Sequence, residues 1–164
     1  MKPLTEQEIR AAFVNCTKGE ARRLNMPRDL TVRPWDDLDF LGWRDHQAAD
    51  RAYLAADLDG QLVALVLRSS DASALQRVSN MCSLCLTTHT GGVGLLVAPR
   101  TGKAGQQGNT VGAYMCSDLA CSLYVRGLKH VVGLGGRIPD SLTLEERIDR
   151  TRANLADFIA RVTV

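Results

Sequence analysis

Four of the chain's five cysteines fall into two tight pairs about thirty residues apart, Cys82 and Cys85 within "MCSLC" and Cys116 and Cys121 within "YMCSDLAC". Two residues between thiolates let a tight turn aim both sulfurs at one tetrahedral ion, with peptide N–H groups left to bond the sulfurs. Between the pairs, "GGVGLLVAPR" and "NTVGAYMC" read as two strands that fold back and return the second pair to the first. Four thiolates then close a structural site around one Zn2+, at roughly 2.3 Å from each sulfur.

Other chemistries compete for the same residues. A disulfide framework suits an oxidising compartment, but "MKPLTEQEIR" carries charges where a secretory apolar run would sit, so a cytoplasmic location is expected. The fifth cysteine, Cys16, also makes an odd number. A redox dithiol at "CSLC" calls for a βαβ setting and leaves Cys116 and Cys121 unexplained. Ligation of an iron–sulfur cluster and inert buried thiols complete the alternatives. His89, four residues after Cys85, is expected beside the ligands rather than among them, and Cys16 is read as a small core residue.

A closed four-cysteine site has no open position for a reacting water. Nor does the sequence offer a Ser/His/Asp grouping, a P-loop or an HExxH motif, so no enzyme activity and no catalytic residue are expected. The carboxylates of "DDLD", residues 36–39, are read as a solvated turn, and "GLGGR", residues 133–137, as a flexible connection rather than a phosphate cradle.

The elements that must hold the cysteines follow from pattern. With 164 residues, 45% hydrophobic and 23% charged, the chain is expected to form one soluble domain over 1–164. No segment approaches the roughly 18 apolar residues of a membrane span. Thr5 and Glu8 form a capping box for a helix over 6–15, and "KGEARRLNMP" continues as a short helical turn. "TVRPWDDLDFLGWRD" is expected to be irregular and to plug the core with its tryptophans. A hairpin is predicted from runs at 52–57 and 61–68 around Asp59-Gly60, followed by a polar linker, "SSDASALQRVSN". "TGKAGQQGN" reads as a mobile hairpin tip, and "SDLACSLYVRG" as a short helix closed by Gly127. A last amphipathic helix over 143–162 is capped by Thr143 and Glu146, with Leu144, Ile148, Leu155, Ile159 and Val162 on its apolar face. The fold class is α+β: two β-hairpins with flanking terminal helices. A knuckle, a hairpin and a helix that donates the last ligands make residues 81–130 a treble-clef finger.

"IRAAFVNCTKGEARRLNMP", "LDFLGWRD", "MCSLC" and "GNTVGAYMCSDLACSLYVRG" together resemble the FBP domain, the C-terminal treble-clef zinc finger of elongation-factor-G-binding proteins, among them the FusB-type fusidic acid resistance proteins. The resemblance implies a bacterial cytosolic protein whose finger binds elongation factor G and acts on its release from the ribosome. It places the zinc ligands on Cys82, Cys85, Cys116 and Cys121, although the resistance proteins carry histidine where Cys121 stands. Between residues 81 and 130 four cations, Arg100, Lys103, Arg126 and Lys129, face one acid, Asp118, in a chain of net charge +2. Those four and Tyr124 are the expected partner-binding residues, since charge speeds encounter with an acidic surface. The alternative partner is RNA or the ribosome, which the same basic finger could contact. Against it stand the sparse cations and the lack of an aromatic stacking platform in the hairpin.

Overall fold

The computed structural model describes residues 1–69, 79–131, 136–137 and 141–164. Two capping boxes open the chain's first helices. Thr5 and Glu8 start α1 (Glu6–Ala12), and Thr17 and Glu20 start α2 (Lys18–Arg23). Each pair satisfies orphan N–H groups at both ends of the box, which lets helices this short persist. α1 stops at Ala12, short of the expected Asn15, because Phe13 turns extended and residues 13–15 run along a strand.

Two 3-10 turns, Leu30–Val32 and Trp35–Asp37, lead into β1 (Phe40–Arg44), so the segment expected to be irregular ends as a strand. Its residues escape the alternation rule because both faces of Phe40–Trp43 are covered. β2 (Arg51–Leu58) and β3 (Gln61–Ser69) form the predicted hairpin, with Asp59 and Gly60 both at positive φ, as a two-residue primed turn requires.

The linker residues 70–78 lie outside the described residues. β4 (Ser79–Met81) and β5 (Thr87–Thr90) then flank the first cysteine pair, and β6 (Val93–Pro99) and β7 (Thr110–Cys116) form the hairpin between the pairs. Its tip is no loose loop. The short helix α3 (Gly102–Gln106) fills it, and Thr101 donates its N–H to Val162 and its hydroxyl to Thr163 at the far end of the chain. Gly105 lies so close under Arg100 that an added Cβ would sit 1.8 Å from that residue's carbonyl oxygen.

α4 (Cys121–Val125) follows and ends in a Schellman turn, Leu128 N–H to Leu123 and Gly127 N–H to Tyr124, with Gly127 left-handed as predicted. Of the glycine-rich connection, residues 133–135 lie outside the described residues, but Gly136–Arg137 form β8 against β5. α5 (Leu144–Thr163) closes the described chain. Leu155, Phe158, Ile159 and Val162 are its buried apolar face, whereas Leu144, expected there, is exposed.

The strands make two antiparallel sheets, β1-β2-β3-β6-β7 and β4-β5-β8. Period-two alternation gives the larger sheet two apolar faces. One face, with Leu41, Trp43, Tyr53 and Ala64, packs against Ile9, Leu4, Trp35 and Leu38. The other, with Phe40, Leu54, Leu65, Leu96 and Met115, packs against Leu84, Leu119, Val125 and α5. The four paired cysteines belong to this second core, so the candidate metal centre and the main sheet share one interior. Residues 13–15 cover the open stretch of β3: Val14 N–H bonds Ala64, and the Asn15 amide both donates to and accepts from the Val66 backbone. Asn15 thereby completes a strand edge that would otherwise stay unpaired.

Candidate metal centre

Cys82 and Cys85 lie in the turn between β4 and β5. Leu86 takes a left-handed conformation there, its N–H bonded to the Cys82 carbonyl, while Cys82 N–H bonds Thr87. The Leu84 N–H points at the Cys82 sulfur, 3.4 Å away. Ser83 N–H bonds the Tyr114 carbonyl, which ties this knuckle to β7. Cys116 ends β7 and Cys121 begins α4, with Leu119 left-handed between them. Leu119 lies against β1, where a Cβ on Gly42 would meet its Cβ at 2.4 Å, so this turn is seated on the sheet.

The four sulfurs converge. All lie within 4.8 Å of one another, with Cys82 to Cys121 at 3.7 Å and Cys85 to Cys116 at 3.5 Å. A tetrahedron of sulfurs around zinc has edges of about 3.8 Å for bonds of 2.3 Å, so the cage has the size the ion needs. None is in a disulfide, and all four are buried. Hydrogen bonding, chiefly from Cys116, holds the Cys82 thiol far below its ordinary value, and the same kind of contact, Cys116 first, pushes Cys121 far up. Sulfur donors crowded in an apolar interior cannot all ionise without a cation to balance them. A dication does so by taking the place of protons, and zinc affinity therefore falls as pH falls. The residues fit one structural Zn2+.

A polar chain supports the cage. His89, on β5, is buried with Nε2 3.3 Å from the Cys116 sulfur, and burial holds its pKa down, which favours the neutral ring. Its proton belongs on Nε2, where it can be donated to the thiolate. The Tyr124 ring meets the His89 ring edge-on at 4.6 Å, and its hydroxyl donates to Asp118 at 2.9 Å. Lys129 pairs with Asp118 at 2.7 Å and lies over the Tyr124 ring. His89→Ala should keep the fold and the metal stoichiometry while lowering zinc affinity by about 10- to 100-fold, as measured by competition with a chromophoric chelator. Unchanged affinity would remove His89 from the site.

The expected partner-binding residues separate into two groups. Tyr124 and Lys129 are engaged with Asp118, as described. Arg126 reaches away from the surface and grips Asp39 with both terminal guanidinium nitrogens, at 2.6 and 3.1 Å. Asp39 is thus no part of a solvated turn: its side chain is fully buried, with Arg152 of α5 as a second partner at 2.9 Å. Sequence offered no signal for this, since the partners stand 87 and 113 residues away. Arg100 and Lys103 lie at the α3 tip, Lys103 exposed and Arg100 half-buried. Cys16, expected in the core, is half-buried at the wall of two cavities. Among the described residues, no helix is long and apolar enough to cross a membrane.

Neither curated proteins nor solved structures gave a match to the chain. The profile of the FBP C-terminal treble-clef zinc-finger family matches residues 8–162, nearly all of the sequence, and the match includes this chain's knuckle, hairpin and helix over residues 82–125, which bring its four cysteines together. The chain is a member of the FBP C-terminal treble-clef zinc-finger family.

Proposed function

We propose that the protein is a cytoplasmic, non-enzymatic interaction module that uses its zinc-stiffened finger to bind translation elongation factor G and act on its release from the ribosome. The observation that carries this reading is the closed cage: four buried sulfurs leave zinc no free position for chemistry, so the metal's work is to hold a surface. The partner comes from the resemblance to elongation-factor-G-binding proteins. Two exposed apolar residues sit close together on the finger, Met81 at the start of the knuckle and Tyr114 on β7, whose carbonyl accepts from Ser83. Lys103 and Arg100 stand at the tip of the same hairpin, so the finger carries both apolar and basic groups of the kind that dock on protein. RNA is less well served. Two of the four finger cations, Arg126 and Lys129, are spent on Asp39 and Asp118, which leaves few to neutralise phosphates.

The test is titration of purified elongation factor G with the zinc-loaded protein by calorimetry, beside Tyr114→Ala and Lys103→Glu variants and a structured ribosomal RNA fragment. Saturable binding of the factor, weakened by both variants, supports the reading. Binding of the RNA alone transfers the surface to nucleic acid, and binding of neither overturns the proposal.

A further inference from the structure

On the side of the sheet away from the zinc cage, a cavity of about 300 Å3 is lined by Cys16, Glu20, Arg23, Leu24, Arg51, Val66 and Arg68. Its three arginines come from three elements, Arg23 from the last turn of α2, Arg51 from the start of β2 and Arg68 from near the end of β3. Arg51 and Arg68 are direct cross-strand partners in the β2–β3 register, and like charges placed opposite one another cost stability. The protein offsets that cost only in part. Glu20 lines the same cavity and its charge is favoured by Arg23 and Arg68, but one carboxylate oxygen is held by the α2 cap, where it accepts from the Thr17 N–H and hydroxyl at 2.8 Å each, and a single carboxylate balances only one of the three arginines. Arg68 meets Asp50 only at 3.4 Å, with both side chains more than half exposed. Among the described residues, neither Arg23 nor Arg51 has a carboxylate within ion-pair distance.

We propose that this cavity is a binding site for the dianionic phosphate group of a small phosphorylated ligand. The lining carries three positive charges against one negative, a surplus of two that a phosphate monoester dianion cancels. Guanidinium forks match phosphate oxygens with paired hydrogen bonds, and arginines from three directions enclose a tetrahedral anion better than a planar one. Space for the rest of such a ligand adjoins the site. A second cavity of about 400 Å3 shares Cys16 and Glu20 with the first and continues past Asn15 and Arg100 to Gly105 at the hairpin tip. The phosphate would sit among Arg23, Arg51 and Arg68, and the organic part would run toward Arg100. The phosphate subsite shares no residue with the proposed partner surface, and only Arg100, in the second cavity, belongs to both, so phosphate binding can exist whether or not the elongation-factor reading holds.

The probes are inorganic phosphate and adenosine monophosphate, titrated into the zinc-loaded chain and followed by amide chemical shifts, with sodium chloride at matched ionic strength and adenosine as controls. Saturable shifts at Cys16, Arg23, Arg51 and Arg68 with both phosphates, and none with the controls, are expected. Tighter binding of adenosine monophosphate identifies a phosphorylated small molecule; equal binding reduces the site to one for free phosphate. Arg23→Gln lies on an exposed helix turn and should leave the fold intact while weakening phosphate binding by about tenfold or more. Arg51→Gln removes the cross-strand repulsion, so its thermal midpoint without phosphate should equal or exceed the parent's while its phosphate response is lost. Phosphate shifts that match the chloride control, or that persist unchanged in both variants, overturn the proposal.

Discussion

Cys116→Ser strips zinc from the protein and melts the finger. Serine is smaller and keeps a hydroxyl, but its alkoxide is inaccessible near neutral pH, so the cage drops to three thiolates with one face open. Structural zinc contributes about 10–16 kcal/mol to isolated zinc-finger peptides, a scale that exceeds the whole stability of most domains. The loss cannot stay local. Cys116 is the last residue of β7, and the same core joins the cage to Leu96, Met115 and the apolar face of α5. The finger also has little else to hold it: the knuckle is a five-residue turn between short strands, and α4 has five residues. The expected result is zinc content falling from one equivalent to near zero, loss of chemical-shift dispersion over residues 81–127, and a thermal midpoint far below that of the parent. Cys16→Ala is the matched control. It removes a thiol remote from the cage and should leave zinc content unchanged. Undiminished zinc with a native midpoint in Cys116→Ser would remove that residue from the ligand set.

Much of this centre could be read from sequence, because its determinants are local. The spacing of Cys82 and Cys85 encodes one tight turn, that of Cys116 and Cys121 encodes a strand end meeting a helix start, and the strands between them encode the return. The Asp59-Gly60 turn and the Thr5 and Thr143 capping boxes are local in the same sense. The box at Thr17 and Glu20 is equally local and marks the start of α2, although the segment's pattern alone suggests no more than a helical turn. What escaped is settled by distant packing. β1 looks irregular because apolar residues on both faces erase its period, and the cause is Leu119 of the finger lying on Gly42. A glycine-rich tip reads as mobile, yet the chain's last helix supplies Val162 and Thr163 to pin it. Phe158 is buried and Leu144 exposed because α5 meets the core along its C-terminal half, a fact of docking rather than of periodicity.

Asp39→Ala is expected to be the most damaging change outside the cage. Its carboxylate is fully buried and accepts a two-pronged contact from Arg126, whose side chain is only 12% exposed. Around this pair, Asp39 N–H bonds the Ser122 hydroxyl and Arg126 also bonds the Ser122 carbonyl, so β1's entrance is latched to α4 immediately after the last zinc ligand. Arg152 joins from α5, but its side chain is 56% exposed and solvent screens its share. Removing the carboxylate leaves the Arg126 guanidinium buried without its counter-charge, which costs about 3–5 kcal/mol. Asp39→Asn keeps an acceptor and should cost less. If the penalty is the stranded cation, then adding Arg126→Met to Asp39→Ala should recover a large part of it, because a buried pair replaced by apolar groups is often close to neutral. Chemical denaturation of the single and double variants gives the coupling directly, and simple additivity would dismiss the pair as a latch. The same series bears on the partner surface. Asp39 is buried and cannot touch a partner, so if Asp39→Ala weakens factor binding as much as Arg126→Met does, Arg126 acts by seating the finger on the sheet rather than by contact. A loss confined to Arg126→Met, with the Asp39 variant folded and binding normally, would return Arg126 to the interface.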